Sequence, residues 1–257
     1  MPDGISVVVP VHDEADNVGP LAQAIGSVLA PLGPYEIIFV DDGSGDDTAG
    51  RVRGVGYGMG TVRLLRHAER CGQSTAVWNG VAAARFERVA TIDGDGQNDP
   101  ADIARLIAAR AAAPDPNRVG LVIGHRRQRR DTSLRRFASR IANGVRARLL
   151  GDATPDSGCG LKIVDRALYL QLPYFDHMHR FLPALVQQLG YRVVCVPVGH
   201  RPRTQGRSKY GINDRLWVGI TDLLGVWWLS RRNRRSSACE ELIARPGLRA
   251  VGRSDHH

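Results

Sequence analysis

The 257-residue chain lacks any run of about 20 apolar residues, the length a bilayer-spanning helix requires, so no spanning segment is expected. Its four cysteines, Cys71, Cys159, Cys195 and Cys239, form no CxxC pair and no dense framework. That argues against a zinc site and a disulfide scaffold, and it fits a reducing, cytosolic setting. The N-terminus, MPDGISVVVPV, enters an apolar run with no basic stretch or cleavage site ahead of it, so no signal peptide is expected. Neither a P-loop nor a G-x-S-x-G elbow occurs. Gly54, Gly56, Gly58 and Gly60 alternate without ever making G-x-G-x-x-G, and they precede a strand where a dinucleotide fingerprint would follow one. A flexible loop is the expectation there. Aromatic residues are also scarce, and the basic run from Arg126 to Arg148 holds only Phe137. A stacking platform for single strands is therefore missing, which ranks nucleic acid low among possible partners.

What the sequence does have is positive charge. With 35 basic and 26 acidic residues it carries a formal +9 and a pI near 10, which points to an anionic partner: a nucleic acid, a phosphorylated small molecule or a membrane surface. A hydrophobic fraction of 43% suffices for a real core, in one or two domains. Short β-branched runs alternate with longer Ala- and Leu-rich segments, the pattern of an α/β fold on a mainly parallel sheet flanked by helices. Strands are expected at 5–11, 35–44, 61–67, 88–95 and 119–126, and again at 191–198. Helical spacing appears in NVGPLAQAIGSVLAPL, QSTAVWNGVAAARF and PADIARLIAARAAA, with Asp99 capping the last ahead of Pro100. Beyond residue 130 come a basic helix candidate (132–151), the Gly-rich DSGCGLKIV, a helix near HRFLPALVQQLG and the polar loop HRPRTQGRSKYG.

The stretch VATIDGDGQNDP places Asp93, Asp95 and Gln97 where an apolar strand stops. An Asp-Gly turn would explain it, as would a set of hard oxygen ligands for Mg²⁺ or Mn²⁺ bridged to a substrate diphosphate. The neighbouring strand ends, VVVPVHDEADN and IIFVDDGSGDDT, also carry acids. Three acid clusters would thus share one sheet edge, where open α/β folds bind ligands.

Pro10, Glu14 and Asn17, the VDDGS segment, the D-x-D-x-Q of Asp93, Asp95 and Gln97, and the GQSTAVWNG helix start together resemble family 2 glycosyltransferases with the GT-A nucleotide-sugar-binding fold. GHRR, SLRRFASRIAN, DSGCGLKIV, HRFLPAL and RTQGRSKYG extend the resemblance, over about residues 5–235, to polyprenyl-phosphate glycosyltransferases of the dolichol-phosphate mannosyltransferase type. The resemblance implies inverting, metal-dependent transfer of a sugar from a nucleotide-sugar donor, GDP-mannose or a UDP-sugar, to a polyprenyl phosphate. Pro10, His12, Glu14, Asp41 and Asp93 would contact the donor, with His12 standing where the family often has Tyr. Asp93, Asp95 and Gln97 would hold the metal. Arg126 and Arg135 would grip the lipid phosphate, with Arg203, Ser208 and Lys209 closing over the site on a loop. A phosphate acceptor is already anionic at neutral pH and needs cationic positioning in place of a general base.

The stretch LWVGITDLLGVWWLSRRNRR is too short to span a membrane, yet it combines Trp217, Trp227 and Trp228 with a terminal arginine cluster, as an interfacial helix does. Packing on the protein's own core or an oligomer contact is the other reading. The expected organisation is a catalytic domain over 1–212, an amphipathic membrane-apposed helix over 213–235 and a loosely ordered tail over 236–257, bound peripherally at the cytoplasmic membrane face. A family 2 enzyme acting on a saccharide hydroxyl, a non-catalytic nucleotide-sugar binder and a basic nucleic-acid binder remain as rival readings.

Overall fold

A computed structural model of the chain describes residues 4–126, 144, 146–152, 154–199, 201 and 212–232, excepting the side chains of 212–218 and 220. Arg135, Arg203, Ser208, Lys209 and the 236–257 tail lie outside the described residues.

Seven strands form one sheet: β1 (Ile5–Val11), β2 (Tyr35–Asp41), β3 (Val62–Arg66), β4 (Arg88–Thr91), β5 (Val119–Arg126), β6 (Lys162–Asp165) and β7 (Arg192–Val198). Their spatial order is β3-β2-β1-β4-β6-β5-β7, with β6 antiparallel to both neighbours and every other pairing parallel. The helices described from end to end are α1 (Ala15–Leu29), α2 (Thr48–Gly58), α3 (Gln73–Ala82), α4 (Ala101–Ala111), α5 (Arg166–Gln171), α6 (Leu182–Gln188) and α7 (Ile212–Arg232), and residues 144 and 146–150 are helical as well. The central strands are buried almost throughout because helices cover both faces, which is why they read as continuous apolar runs. α1 packs on α2 and α4, while α3 packs on α5.

Two expectations change. The alternating glycines fall largely within α2, which runs through Gly54 and Gly56 to Gly58. Buried Thr48, Ala49 and Val52 anchor that helix, and contacts with α1 and β3 outweigh the weak helix propensity of glycine. The Gly-rich DSGCGLKIV leads into β6, a strand the sequence reading missed because its four residues show no clean alternation.

At the edge of the sheet away from the acid clusters, Ser6 and Glu36 are register partners on β1 and β2. Ser6 Oγ donates to Glu36 Oε1 at 2.7 Å, the Arg85 N–H donates to the same oxygen at 2.6 Å, and Arg63 Nη1 donates to Oε2 at 2.7 Å. Burial on its own would raise the Glu36 carboxyl, but these hydrogen bonds and the Arg63 charge outweigh it and hold the group below its ordinary value of 4.5. Glu36 therefore stabilises the fold above that value, and its contribution is lost as pH falls through the lower folded value. Glu36→Gln is expected to cost about 1–3 kcal/mol at neutral pH. Denaturant titrations across acidic pH should show a shallower loss of stability for the variant than for the wild type.

Candidate active site

Chain order along the sheet reverses at β1, which lies between β2 and β4, so the crevice of an open α/β sheet falls at the carboxyl ends of β1 and β4. Those two ends meet closely. A methyl group added at Gly94 would lie 2.5 Å from Val11 Cγ1 and 2.9 Å from the Pro10 carbonyl oxygen, so only glycine lets the D-x-D turn cross the end of β1.

The first two acid-bearing loops are stitched into one rim. His12 Nδ1 lies 2.8 Å from the Asp42 carbonyl oxygen, the Asp13 N–H donates to Ser44 Oγ, and the Glu14 N–H donates to Thr48 Oγ1. Asn17 Nδ2 donates to Glu14 Oε2 at 2.5 Å. Asp42 accepts from His67 Nδ1 and from the Cys71 and Gly72 N–H groups. Burial opposes its ionisation, but these donors prevail and lower its pKa. Asp41 is fully buried. Its Oδ1 accepts the Ser44 N–H at 3.0 Å, whereas Oδ2 receives no hydrogen bond although Arg66 Nε lies 3.1 Å away.

Asp93 follows β4 by two residues. Pairing of Thr91 with Lys162 across β4 and β6 brings Gly160 against it, and Thr91 Oγ1 donates to the Gly160 carbonyl at 2.7 Å. A methyl group at Gly160 would lie 2.2 Å from the Asp93 carboxyl, so backbone packs directly on the carboxylate. Gln73 Nε2, from the first turn of α3, donates to Asp93 Oδ1 at 2.9 Å. Burial and the neighbouring charge of Asp95 push the Asp93 pKa up, while Lys162, Arg126 and Gln73 pull it down. The Gln97 N–H donates to Asp95 Oδ1 at 3.1 Å, so Asp95 and Gln97 share one turn. Two carboxylates and an amide oxygen on one turn, with Asp93 strained towards protonation by burial and by Asp95, fit a hard divalent cation.

A cleft of about 130 Å³ opens beside Asp93, lined among others by Pro10, Gln73, Gly158, Lys162, His179 and Arg180. Lys162 is buried at 3% exposure. Its Nζ donates to the Cys159 carbonyl, and burial lowers its pKa against the opposing pull of Cys159 and Asp93. His179 Nδ1 and Ser74 Oγ lie 2.7 Å apart, and burial drives the imidazole well below its ordinary value, so it stays neutral.

Several sequence-predicted residues meet here: Pro10 and Asp93 line the cleft, Asp95 and Gln97 sit on the adjoining turn, and His12, Glu14 and Asp41 form the rim. Arg126 is placed differently from a free phosphate clamp. Its Nε and Nη2 fork onto Asp156 at 2.7 and 2.9 Å, leaving Nη1 for another acceptor. Gln73, Lys162, His179 and Arg180 carried no assigned role in the sequence reading, although their motifs were noted. Arg201 is a further addition. Its N–H donates to the Gln97 carbonyl at 2.9 Å and its guanidinium to Asp99 at 2.6 Å, which fastens Arg201 to the D-x-D-x-Q turn.

Residues 6–172 match the family described as glycosyl transferase family 2. The chain belongs to that family. It is a glycosyltransferase with the GT-A fold. It is 35% identical over 236 residues to a dodecaprenyl-phosphate galacturonate synthase of Rhizobium johnstonii, covering 90% of this chain and 68% of the relative. It is 34% identical to an undecaprenyl-phosphate 4-deoxy-4-formamido-L-arabinose transferase of Edwardsiella ictaluri, covering 81% of this chain and 63% of that relative. Against several such relatives the chain thus spans less than two thirds of their length.

The fold is shared with glucosyl-3-phosphoglycerate synthase from Mycobacterium tuberculosis, solved with Mn²⁺, UDP and phosphoglyceric acid. That match has a TM-score of 0.66 and 22% identity and covers 91% of this chain and 80% of the other. Mannosyl-3-phosphoglycerate synthase from Rubrobacter xylanophilus matches with a TM-score of 0.66 and 18% identity, covering 96% and 78%.

Gly160→Ala is expected to displace the Asp93 carboxylate and lower turnover of the glycosyltransferase at least tenfold, the scale of a misplaced catalytic group. Thermal melting should shift by only a few degrees, because the strain falls on the cleft rim and not on the sheet core.

Proposed function

We propose that this family 2 enzyme transfers a sugar from a nucleotide-sugar donor to a polyprenyl phosphate, with inversion and with the help of Mg²⁺ or Mn²⁺. The observation that carries this reading is the composition of the cleft: among the described residues lining it, Asp93 is the sole carboxylate. Asp93 accepts a hydrogen bond from Gln73 and packs on Gly160, and it would serve the metal and the donor. His179 is neutral and a weak base. A hydroxyl acceptor would need a general base that this wall does not offer, whereas a phosphate acceptor is already ionised. The relatives' names point to the same acceptor class.

The donor's base and ribose would lie along the rim of Pro10, His12, Glu14 and Asp41. Asp93, Asp95 and Gln97 would hold the divalent ion, which when bound neutralises the charge of the departing diphosphate. In the transfer a phosphate oxygen of the acceptor forms a bond to the anomeric carbon. The carbon–oxygen bond to the nucleoside diphosphate breaks, and its electron pair leaves with that group. No proton need move. Arg126 and Arg135 would support the lipid phosphate, and Arg203, Ser208 and Lys209 would approach from the segment that starts at Arg201.

Membrane apposition through α7 belongs to the same proposal. No helix among the described residues is long and apolar enough to cross a membrane. Leu224 and Trp228 stand exposed at 51% and 57%, and Arg231 lies over the Trp227 ring at 4.4 Å, a combination suited to a lipid interface. The opposite face of α7 packs on the domain through buried Val226.

Asp95→Ala is expected to abolish metal-dependent transfer to undecaprenyl phosphate while the circular dichroism spectrum stays native. Near-normal turnover that still requires metal would overturn the assignment of Asp95. A donor panel of UDP- and GDP-sugars with Mg²⁺ or Mn²⁺ tests the acceptor class: product extractable into organic solvent supports it, and product found only on soluble saccharides refutes it.

A further inference from the structure

In-line attack places the nucleophile and the leaving group on opposite sides of the anomeric carbon. A cation that orients the acceptor phosphate must therefore come from a different wall than the D-x-D-x-Q turn. Most cationic groups around the site are already engaged. Arg126 forks onto Asp156, Lys162 donates to the Cys159 carbonyl, Arg201 binds Asp99, Arg66 faces Asp41, and Arg146 contacts Asp152 and Ser157. Arg180 is different. It lines the cleft together with Asp93, and among the described residues its guanidinium makes no hydrogen bond or ion pair.

The position of Arg180 is nevertheless fixed. It ends a 3₁₀ turn, Met178–Arg180, in which its own N–H donates to the His177 carbonyl at 3.0 Å. The middle residue of that turn, His179, is tied to Ser74 on α3 through its ring, and its N–H donates to Ser74 Oγ at 3.4 Å. An unpaired guanidinium on an anchored turn, lining the same cleft as Asp93, is suited to grip phosphate oxygens bidentately.

Resting on the proposed polyprenyl-phosphate reaction, we infer that Arg180 is an acceptor-binding residue that holds and orients the nucleophilic phosphate. The bond made is between an acceptor phosphate oxygen and the anomeric carbon, and the bond broken is that to the nucleoside diphosphate. Arg180 keeps its proton throughout. It supplies charge and geometry only.

The test uses the full chain, undecaprenyl phosphate, and whichever of UDP-galacturonate, UDP-glucose or GDP-mannose the wild type accepts. Arg180→Ala should raise the KM for undecaprenyl phosphate about tenfold or more, as expected for loss of a charge-assisted bidentate contact, with the donor KM changed less than about twofold. Arg180→Lys, which keeps the charge without the fork, should recover part of the lost acceptor affinity. An unchanged acceptor KM in Arg180→Ala, or a rise confined to the donor KM, would overturn the role of Arg180 while leaving the reaction class standing. A wild type that consumes donor but never forms a lipid product overturns the reaction class, and the Arg180 inference falls with it. If Arg180→Ala does not fold, the KM shift in Arg180→Lys decides: a higher acceptor KM with an unchanged donor KM supports the role, and no change refutes it.

Discussion

The rest of the site depends on holding one half-buried carboxylate, Asp93, beside a second, Asp95, at the end of β4. Burial and the charge of Asp95 both press it towards protonation, so the surrounding chain has to supply compensation from several directions. Gln73 donates a hydrogen bond from α3, Lys162 brings a buried cation on β6, and the Gly160 backbone packs against the carboxylate. Each contribution comes from a different element. Together they explain why an antiparallel strand is inserted between β4 and β5: it delivers Gly160 and Lys162 to the end of β4, where no parallel crossover would place them.

The same geometry separates two chemical roles. The rim built from the ends of β1 and β2 holds its acids through a dense set of backbone and hydroxyl contacts, so those loops are rigid receivers of a ligand. The part of the cleft lined from α3 and the turn before α6 carries nitrogen in place of carboxylate. Such an arrangement suits two anionic groups meeting at a neutral sugar carbon, since each charge has its own counter-charge and neither has to share.

Much of this was legible in the sequence because the relevant signals are local. The first five strands declared themselves by apolar runs, three of them ending in acids, and the observed strands lie within the expected ranges, with β2 and β4 ending earlier, at Asp41 and Thr91. Asp93, Asp95 and Gln97 were readable because one turn carries all three. The misses are non-local. Nothing near Arg126 announces that Asp156, 30 residues on, takes its guanidinium. Likewise the pairing of His179 with Ser74 spans 105 residues, so the composition of that part of the cleft could be known only once α3 and the turn before α6 were seen together. The glycines of α2 misled for a related reason, since propensity is a local quantity and the packing of α2 on α1 is not.

The fork between Arg126 and Asp156 has a topological consequence. It ties the end of β5 to the approach of β6, two points 30 residues apart in the chain. The entropy of closing a loop grows only with the logarithm of its length, about 0.6 kcal/mol for each doubling. A change in length between those two points is therefore cheap in loop entropy, and neither β4 nor β6 has to shift register. The Asp93 side of the cleft would keep its geometry throughout, which makes the fork a natural boundary for grafting between members of this family.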